Sequence, residues 1–499
     1  MNSLTTYTFF SLFLFIGLVS CEYEPLSSEP TPDQINESID FSSFYVLGGT
    51  HSSGLMDGAL YKGGQEYSYP SLFAQKISAI LDDSTFVQAN VESENGSNFE
   101  PFYEGQGKFG DLFFESNTKF YPTRRTTTED PLTNWEGNLN ELNNFSFPSL
   151  KMRQLDDPTK LTNNAYYNRI PGLSGNPLDV IIQNSPSIVV LDLGRDDLFS
   201  YAFNGAIGNE NPAIATSTDA DLITMLDFET VYSNILDRLI AETNAEIFIM
   251  NIPDPLQNPY FQTLSWAFET EIFDELFISQ MDAFYFAFNS QVAQYNFIEN
   301  PDATPSEQRP RLNFDLDNWP QAVSRAKVIR DDELFDAMLN DGTVLRKWRQ
   351  LTENELIGYN LEPSVFYEST LAAQVPLPDD LALTEREINT IETRAFEYNI
   401  TIEDLASSSN RIHIVNVNQV MNQVTSEEFF FDGVPFTAKF DQYSIFSADG
   451  YTLNPRGNAL IANELIKEVN SVTNSAIKPF NPNNFPGISF DLNLEDESN

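Results

Sequence analysis

An apolar run, Phe44 to Leu47, ends in Gly48-Gly49 and is followed at once by Thr50, His51, Ser52, Ser53 and Gly54. Hydroxyls and an imidazole on a glycine-led turn are the residue types that acyl transfer needs. One hydroxyl attacks, a base takes its proton, and N–H donors hold the oxyanion. The base is the scarce component, because the chain has two histidines, His51 and His413. His51 adjoins Thr50, and neighbours at a tight strand-to-helix turn usually point apart. His413 alternates with Ile412 and Ile414, the pattern of a structural strand residue. Other chemistries lack their parts. Two scattered histidines and the single Cys21 do not make a zinc site. The acidic run Asp331-Asp332-Glu333 lacks the glycine and spacing of a calcium loop, and no GxxxxGK(S/T) or GxGxxG phosphate loop occurs. No cofactor is expected.

The elements that would position such a turn are legible as alternating strand and helix signals. Phe44–Leu47 reads as a strand into the glycines, and residues 69–81 repeat apolar side chains at helical spacing. Residues 187–193 (SIVVLDL) form a β-branched run between Pro186 and Gly194, as expected of a buried parallel strand. A helix over 221–242, a strand over 246–251, a strand over 411–417 and a helix over 455–469 follow, with Pro455 suited to a first helical turn. Alternation of this kind predicts an α/β fold, a parallel sheet covered by helices on both faces. Between about 254 and 410 the pattern changes. Residues 260–298 are helical in spacing and rich in aromatics, including Phe261, Trp266, Phe268, Phe273, Phe277, Phe284, Tyr285, Phe286, Phe288, Tyr295 and Phe297. They read as a helical insertion capping the sheet, with aromatics more often core than ligand site. Residues 479–499 read as an extended C-terminal tail with a frayed end.

Three stretches, in order on the expected elements, resemble the conserved blocks of the SGNH hydrolases (the GDSL esterase/lipase family), in the lipoprotein version found in Bacteroidetes. They are Gly48–Gly54 with Asp57-Gly58-Ala59-Leu60-Tyr61, then Leu193-Gly194-Arg195-Asp196-Asp197, then Phe446-Ser447-Ala448-Asp449-Gly450-Tyr451-Thr452-Leu453-Asn454-Pro455-Arg456-Gly457. Asn144-Phe145-Ser146-Phe147-Pro148-Ser149 is a weaker fourth. The resemblance implies a flavodoxin-like three-layer sandwich over 41–478. It also implies five site positions: nucleophile, glycine N–H donor, asparagine donor, orienting aspartate and histidine base. Those positions hold Thr50, Ser149, Asp196, Asp449 and Thr452. Only Asp449 keeps the family residue. Thr50 retains a hydroxyl with a crowding methyl, Asp196 offers acceptors where a donor is needed, and Thr452 has no useful basicity near neutral pH.

The first 20 residues carry no charge and a long apolar stretch, which reads as a signal peptide. Leu18-Val19-Ser20-Cys21 resembles a bacterial lipobox, so Cys21 is expected to carry lipid at the mature N-terminus. Residues 21–40 then read as the lipidated cysteine and a flexible acidic tether. The acidic stretch after the cysteine resembles a surface-export signal, which implies a lipid-anchored, surface-exposed protein of the cell outer membrane. Against 27 Lys and Arg stand 73 Asp and Glu, a net charge of −46. Such a chain repels phosphate backbones, so no nucleic acid is expected as partner. It also repels anionic membrane surfaces, which leaves the lipid on Cys21 as the membrane anchor.

The expectation from sequence is a lipoprotein of SGNH-like fold without hydrolytic activity, a binding or accessory subunit with an outer-membrane protein partner. Two other readings stand beside it: an ester hydrolase attacking through Thr50, with His51 or water as base, and a carrier of acyl or glycan ligands.

Overall fold

The computed structural model describes residues 33–36, 39–81, 86–98, 109–114, 122–126, 128, 130–268, 274–318, 321–359 and 374–488. The expected signal peptide, Cys21 and Phe273 lie outside the described residues. The described residues from Ile35 onward belong to one unit.

Five strands build the central sheet: β1 (Phe44–Gly48), β2 (Asn144–Ser146), β3 (Ile188–Asp192), β4 (Glu246–Met250) and β5 (Ile412–Val415). They run parallel in the order β5-β4-β3-β1-β2, one of the common doubly wound orders. The register sets Phe44 beside Ile188, Gly48 beside both Asp192 and Ser146, and Val190 beside Phe248. The helices that matter to the sheet and its insertion are α1 (Tyr69–Ile80), α2 (Pro177–Gln183), α3 (Arg195–Phe203), α4 (Met225–Glu242), α5 (Glu275–Ala293), α6 (Glu385–Ala406), α7 (Val417–Thr425) and α8 (Pro455–Thr473).

Strands β1, β3 and β4 are apolar almost throughout because helices cover both of their faces. Tyr45, Leu47, Val189, Leu191, Ile247 and Ile249 point into a core shared with α2, α3, α4 and α6. The alternate residues, Phe44, Val46, Ile188, Val190, Phe248 and Met250, point into a second core under α1, α7 and α8. The expected mixed α/β architecture with a parallel sheet is therefore present. The helix ends follow capping chemistry. Asn454 accepts from the Gly457 N–H at 2.9 Å with Pro455 in the first turn, and Thr224 caps α4, so that helix begins at Met225 and not at 221.

The insertion is shorter than the 254–410 expected from sequence. Its last stretch, α6, opens with a reciprocal cap between Thr384 and Glu387, and buries Ile391, Ala395, Tyr398 and Ile402 against the sheet. It is the crossover helix from β4 to β5. The remaining insertion has its own core, in which Phe268, Phe277, Met281, Tyr285, Phe288 and Phe314 cluster away from both sheet faces. Its antiparallel ribbon, Val328–Arg330 with Trp348–Gln350, is tied by Arg349 to Asp331 (2.5 Å) and Glu355 (2.6 Å). At the chain's two ends, parts of the expected tether and tail are fixed. Asn36 bonds Thr473 and Ser475, and Asn463 brackets the Phe480 backbone from α8.

Candidate functional site

In a 2-1-3-4-5 sheet the strand order reverses between β1 and β3, and a crevice forms beyond their carboxyl ends. Thr50 follows β1, Asp192 ends β3, and the turn through Gly194 starts α3 with Arg195, Asp196 and Asp197. Gly194 has φ +88°, and a Cβ there would come within 2.6 Å of the Phe228 ring. Acidic residues in the first turn of α3 suit the positive end of a helix dipole.

The structure brings Thr50, Ser149 and Asp196 together, and they bond one another. The Thr50 N–H donates to Asp196 Oδ2 at 2.8 Å, and the Ser149 N–H donates to Thr50 Oγ1 at 3.0 Å. Both Thr50 and Asp196 are buried. The carboxylate lies so close to the β1 turn that a Cβ on Gly49 would stand 2.0 Å from Asp196 Oδ2. Ser149 has φ +61°, in the left-handed region that favours glycine. Two backbone donors that converge on this turn are thus both consumed inside the protein. The Asp196 carboxylate turns inward to accept the Thr50 N–H.

Four further charged groups surround the turn, and the sequence reading had assigned none of them a role. Lys151 is buried, and its ammonium donates to the Asp196 carbonyl and to Ser200 Oγ. Burial pulls its pKa down, against the nearby charges of Asp197 and Asp196. Burial likewise pushes Asp197 and Asp192 up to about 6, opposed by Lys151 and Arg195 respectively. Asp192 accepts from the Tyr69 hydroxyl at 3.2 Å. The available signal was the Arg195-Asp196-Asp197 run itself, since adjacent opposite charges on an apolar helix start need buried counter-ions.

Asp449 and Thr452 form a second group. Asp449 Oδ1 accepts from the N–H groups of Tyr451 (2.8 Å) and Thr452 (2.7 Å). Its Oδ2 accepts from the Thr452 hydroxyl (2.5 Å) and from the Gly58 N–H (2.8 Å). The Thr452 hydroxyl, fully buried, also meets Ser447 Oγ at 2.8 Å. Asp57 reinforces this clamp: it accepts from the Ala448 N–H and the Tyr61 hydroxyl, both at 2.8 Å. Burial pushes Asp57 up to about 7, with Asp449 adding repulsion. Asp449 therefore folds a turn and ties it to the β1 loop.

Neither histidine hydrogen-bonds the Thr50 hydroxyl. The His51 ring N–H donates to the Tyr451 carbonyl at 3.3 Å, and the ring meets Tyr451 edge-on. Burial holds its pKa well below the ordinary imidazole value, helped by the Arg195 charge. With Tyr69, Asp192 and Arg195 it borders a space of about 10 Å³, room for one water at most. His413 pairs with Glu246 at 2.8 Å across β5 and β4. Beside Thr452, the Tyr451 ring stacks on Phe199, and Phe203 stacks on Tyr260 from the start of the insertion. Among the described residues, no group of three or more His, Cys, Asp or Glu side chains is arranged to hold a metal ion, and no helix is long and apolar enough to cross a membrane. The chain matches no protein-family model and no curated protein sequence.

Proposed function

We propose that the chain is a catalytically silent relative of the SGNH hydrolases, anchored by lipid on Cys21, that serves as an accessory or binding subunit of a cell-envelope assembly. The observation that carries the silence is the bond from the Thr50 N–H to the Asp196 carboxylate at 2.8 Å. In the family that N–H and an asparagine at the Asp196 position would face a developing oxyanion. Here one group fills the other. The Ser149 N–H, the remaining donor, is held by the Thr50 hydroxyl, and the base position carries a hydroxyl bound to Asp449. Several observations support the family reading: the 2-1-3-4-5 strand order, the glycine-type φ at Ser149, and three sequence blocks at the ends of β1 and β3 and ahead of α8.

Purified protein should not turn over short-chain aryl esters above the buffer rate, and Asp196→Asn should not change that, because Thr452 still lacks basicity. Turnover that disappears in Thr50→Ala would overturn the reading and make the chain an ester hydrolase.

A further inference from the structure

A surface helix normally turns one apolar stripe inward and a polar face to water. Helix α5 does not. Its inner arc, with Phe277, Ile278, Met281, Tyr285, Phe288 and Val292, fills the insertion's own core. Its outer arc, at the same helical spacing, carries Leu276, Ala283, Phe284, Phe286 and Ala287, all exposed. In the wider turn Gln294–Glu299 that follows, Phe297 and Ile298 are exposed as well. Leu276 is 65 % exposed, Phe286 69 % and Ile298 74 %. At about 200 Å² for a fully exposed large side chain, the five large residues present roughly 600 Å². That summed area is comparable to the largest apolar patches monomers expose, which are often functional, and to most of one side of a standard interface.

The charges around this face choose the occupant. From Asp274 to Gln308 the sequence holds six carboxylates (Asp274, Glu275, Asp282, Glu299, Asp302 and Glu307) and no Lys or Arg, and the cation that follows, Arg309, is buried. Interfacial helices that lie on anionic lipid carry Lys and Arg on their polar face, so a membrane surface is repelled. A second copy of the chain would set one acidic rim against another, on molecules of net charge −46. A complementary partner has the reverse pattern, apolar at its centre and basic at its edge.

We propose that the outer face of α5 and the turn after it dock a partner protein through an apolar groove edged by Lys and Arg, with Phe286 and Phe297 as anchors. Aromatic anchors seated in a pocket carry most of the energy of such contacts, and the flanking carboxylates set register and on-rate. The inference rests on the accessory-subunit reading.

A photo-reactive phenylalanine analogue placed at 286 or 297 of the full chain in its native membranes tests it, with position 396, an exposed Phe on α6, as control. Adducts are expected at 286 and 297 to one protein, at a segment whose sequence is apolar and flanked by Lys or Arg. Glu275→Lys with Asp282→Lys should lower the yield at 297 about tenfold, as should Phe286→Ser. The proposal is overturned by no adduct, by adducts to lipid or to a second copy, by equal yield at 396, or by a yield indifferent to charge reversal. The two readings fail separately: ester turnover with the adduct retained removes only the silence, and a silent protein without the adduct removes only the docking face.

Discussion

Replacing Thr50 separates a structural residue from a resting nucleophile. Its hydroxyl accepts from the Ser149 N–H, and its methyl is buried at the end of β1. Thr50→Ala leaves the Ser149 N–H without that acceptor. A stranded buried donor costs about 1–3 kcal/mol, and the lower part of that range applies because Ser149 is only half-buried. Losing the methyl adds about 0.8 kcal/mol. The expected destabilisation is therefore about 2–3 kcal/mol for Thr50→Ala and about 1 for Thr50→Ser, which keeps the acceptor for Ser149. Thr50→Val, with the volume kept and the hydroxyl gone, should fall between them. Equilibrium urea unfolding reads the series as midpoint shifts at constant slope. A nucleophile held in place for reaction behaves in the opposite way, since catalytic groups are commonly retained at the expense of stability. Thr50→Ala as stable as the parent, or more so, would refute the closed-turn account.

Two other outcomes are expected. Asp192 and Asp197 hold protons to about pH 6 in the fold and Asp57 to about 7, whereas an unfolded aspartate releases its proton near pH 3.9. The folded state binds more protons between those values, so stability falls as pH rises from about 4 to 7 and returns on acidification. Stability should be higher at pH 5.5 than at 7.5, by about 1 kcal/mol for each of Asp192 and Asp197 and about 2 kcal/mol for Asp57, raising the melting midpoint, and Asp192→Asn should flatten the slope; a lower midpoint at 5.5 contradicts the burial of these carboxylates. For the anchor, Cys21→Ala should move the protein from the membrane to the soluble fraction, and unchanged membrane association would mean that a protein contact holds it.

Four of the five strands were legible because they are short, β-branched or aromatic runs bounded by Gly, Pro and Asn, whereas the three-residue edge strand Asn144–Ser146 is too short to carry such a signal. Residues 187–193 and 246–251 became β3 and β4 with shifts of one residue at their ends. Helix α6 was hidden by its neighbourhood. Its capping pair Thr384 and Glu387 and its apolar spacing at 391, 395, 398 and 402 were present, yet they follow a long irregular stretch and were read with it. The site positions could be named from sequence, but not what they bond. Asp196 was read as facing an incoming oxyanion, a view that assumes an open crevice. Its partner, the Thr50 N–H, lies 146 residues away. Lys151 reaches Asp196 and Ser200 across separations of 45 and 49 residues. The insertion's aromatics divide in a way that composition cannot show: Tyr285 and Phe286 are neighbours, one buried in its core and one turned to water.

The Asp196 carboxylate amounts to a ligand that the chain carries with it. Fixed at the start of α3 by helical geometry, it meets the Thr50 N–H at an effective concentration well above the millimolar range of a flexible tether. Any acid or ester carbonyl arriving from solution competes against that standing occupancy, and dilution never relieves it. Small anions added to fill the crevice should therefore leave the protein's melting temperature where it was.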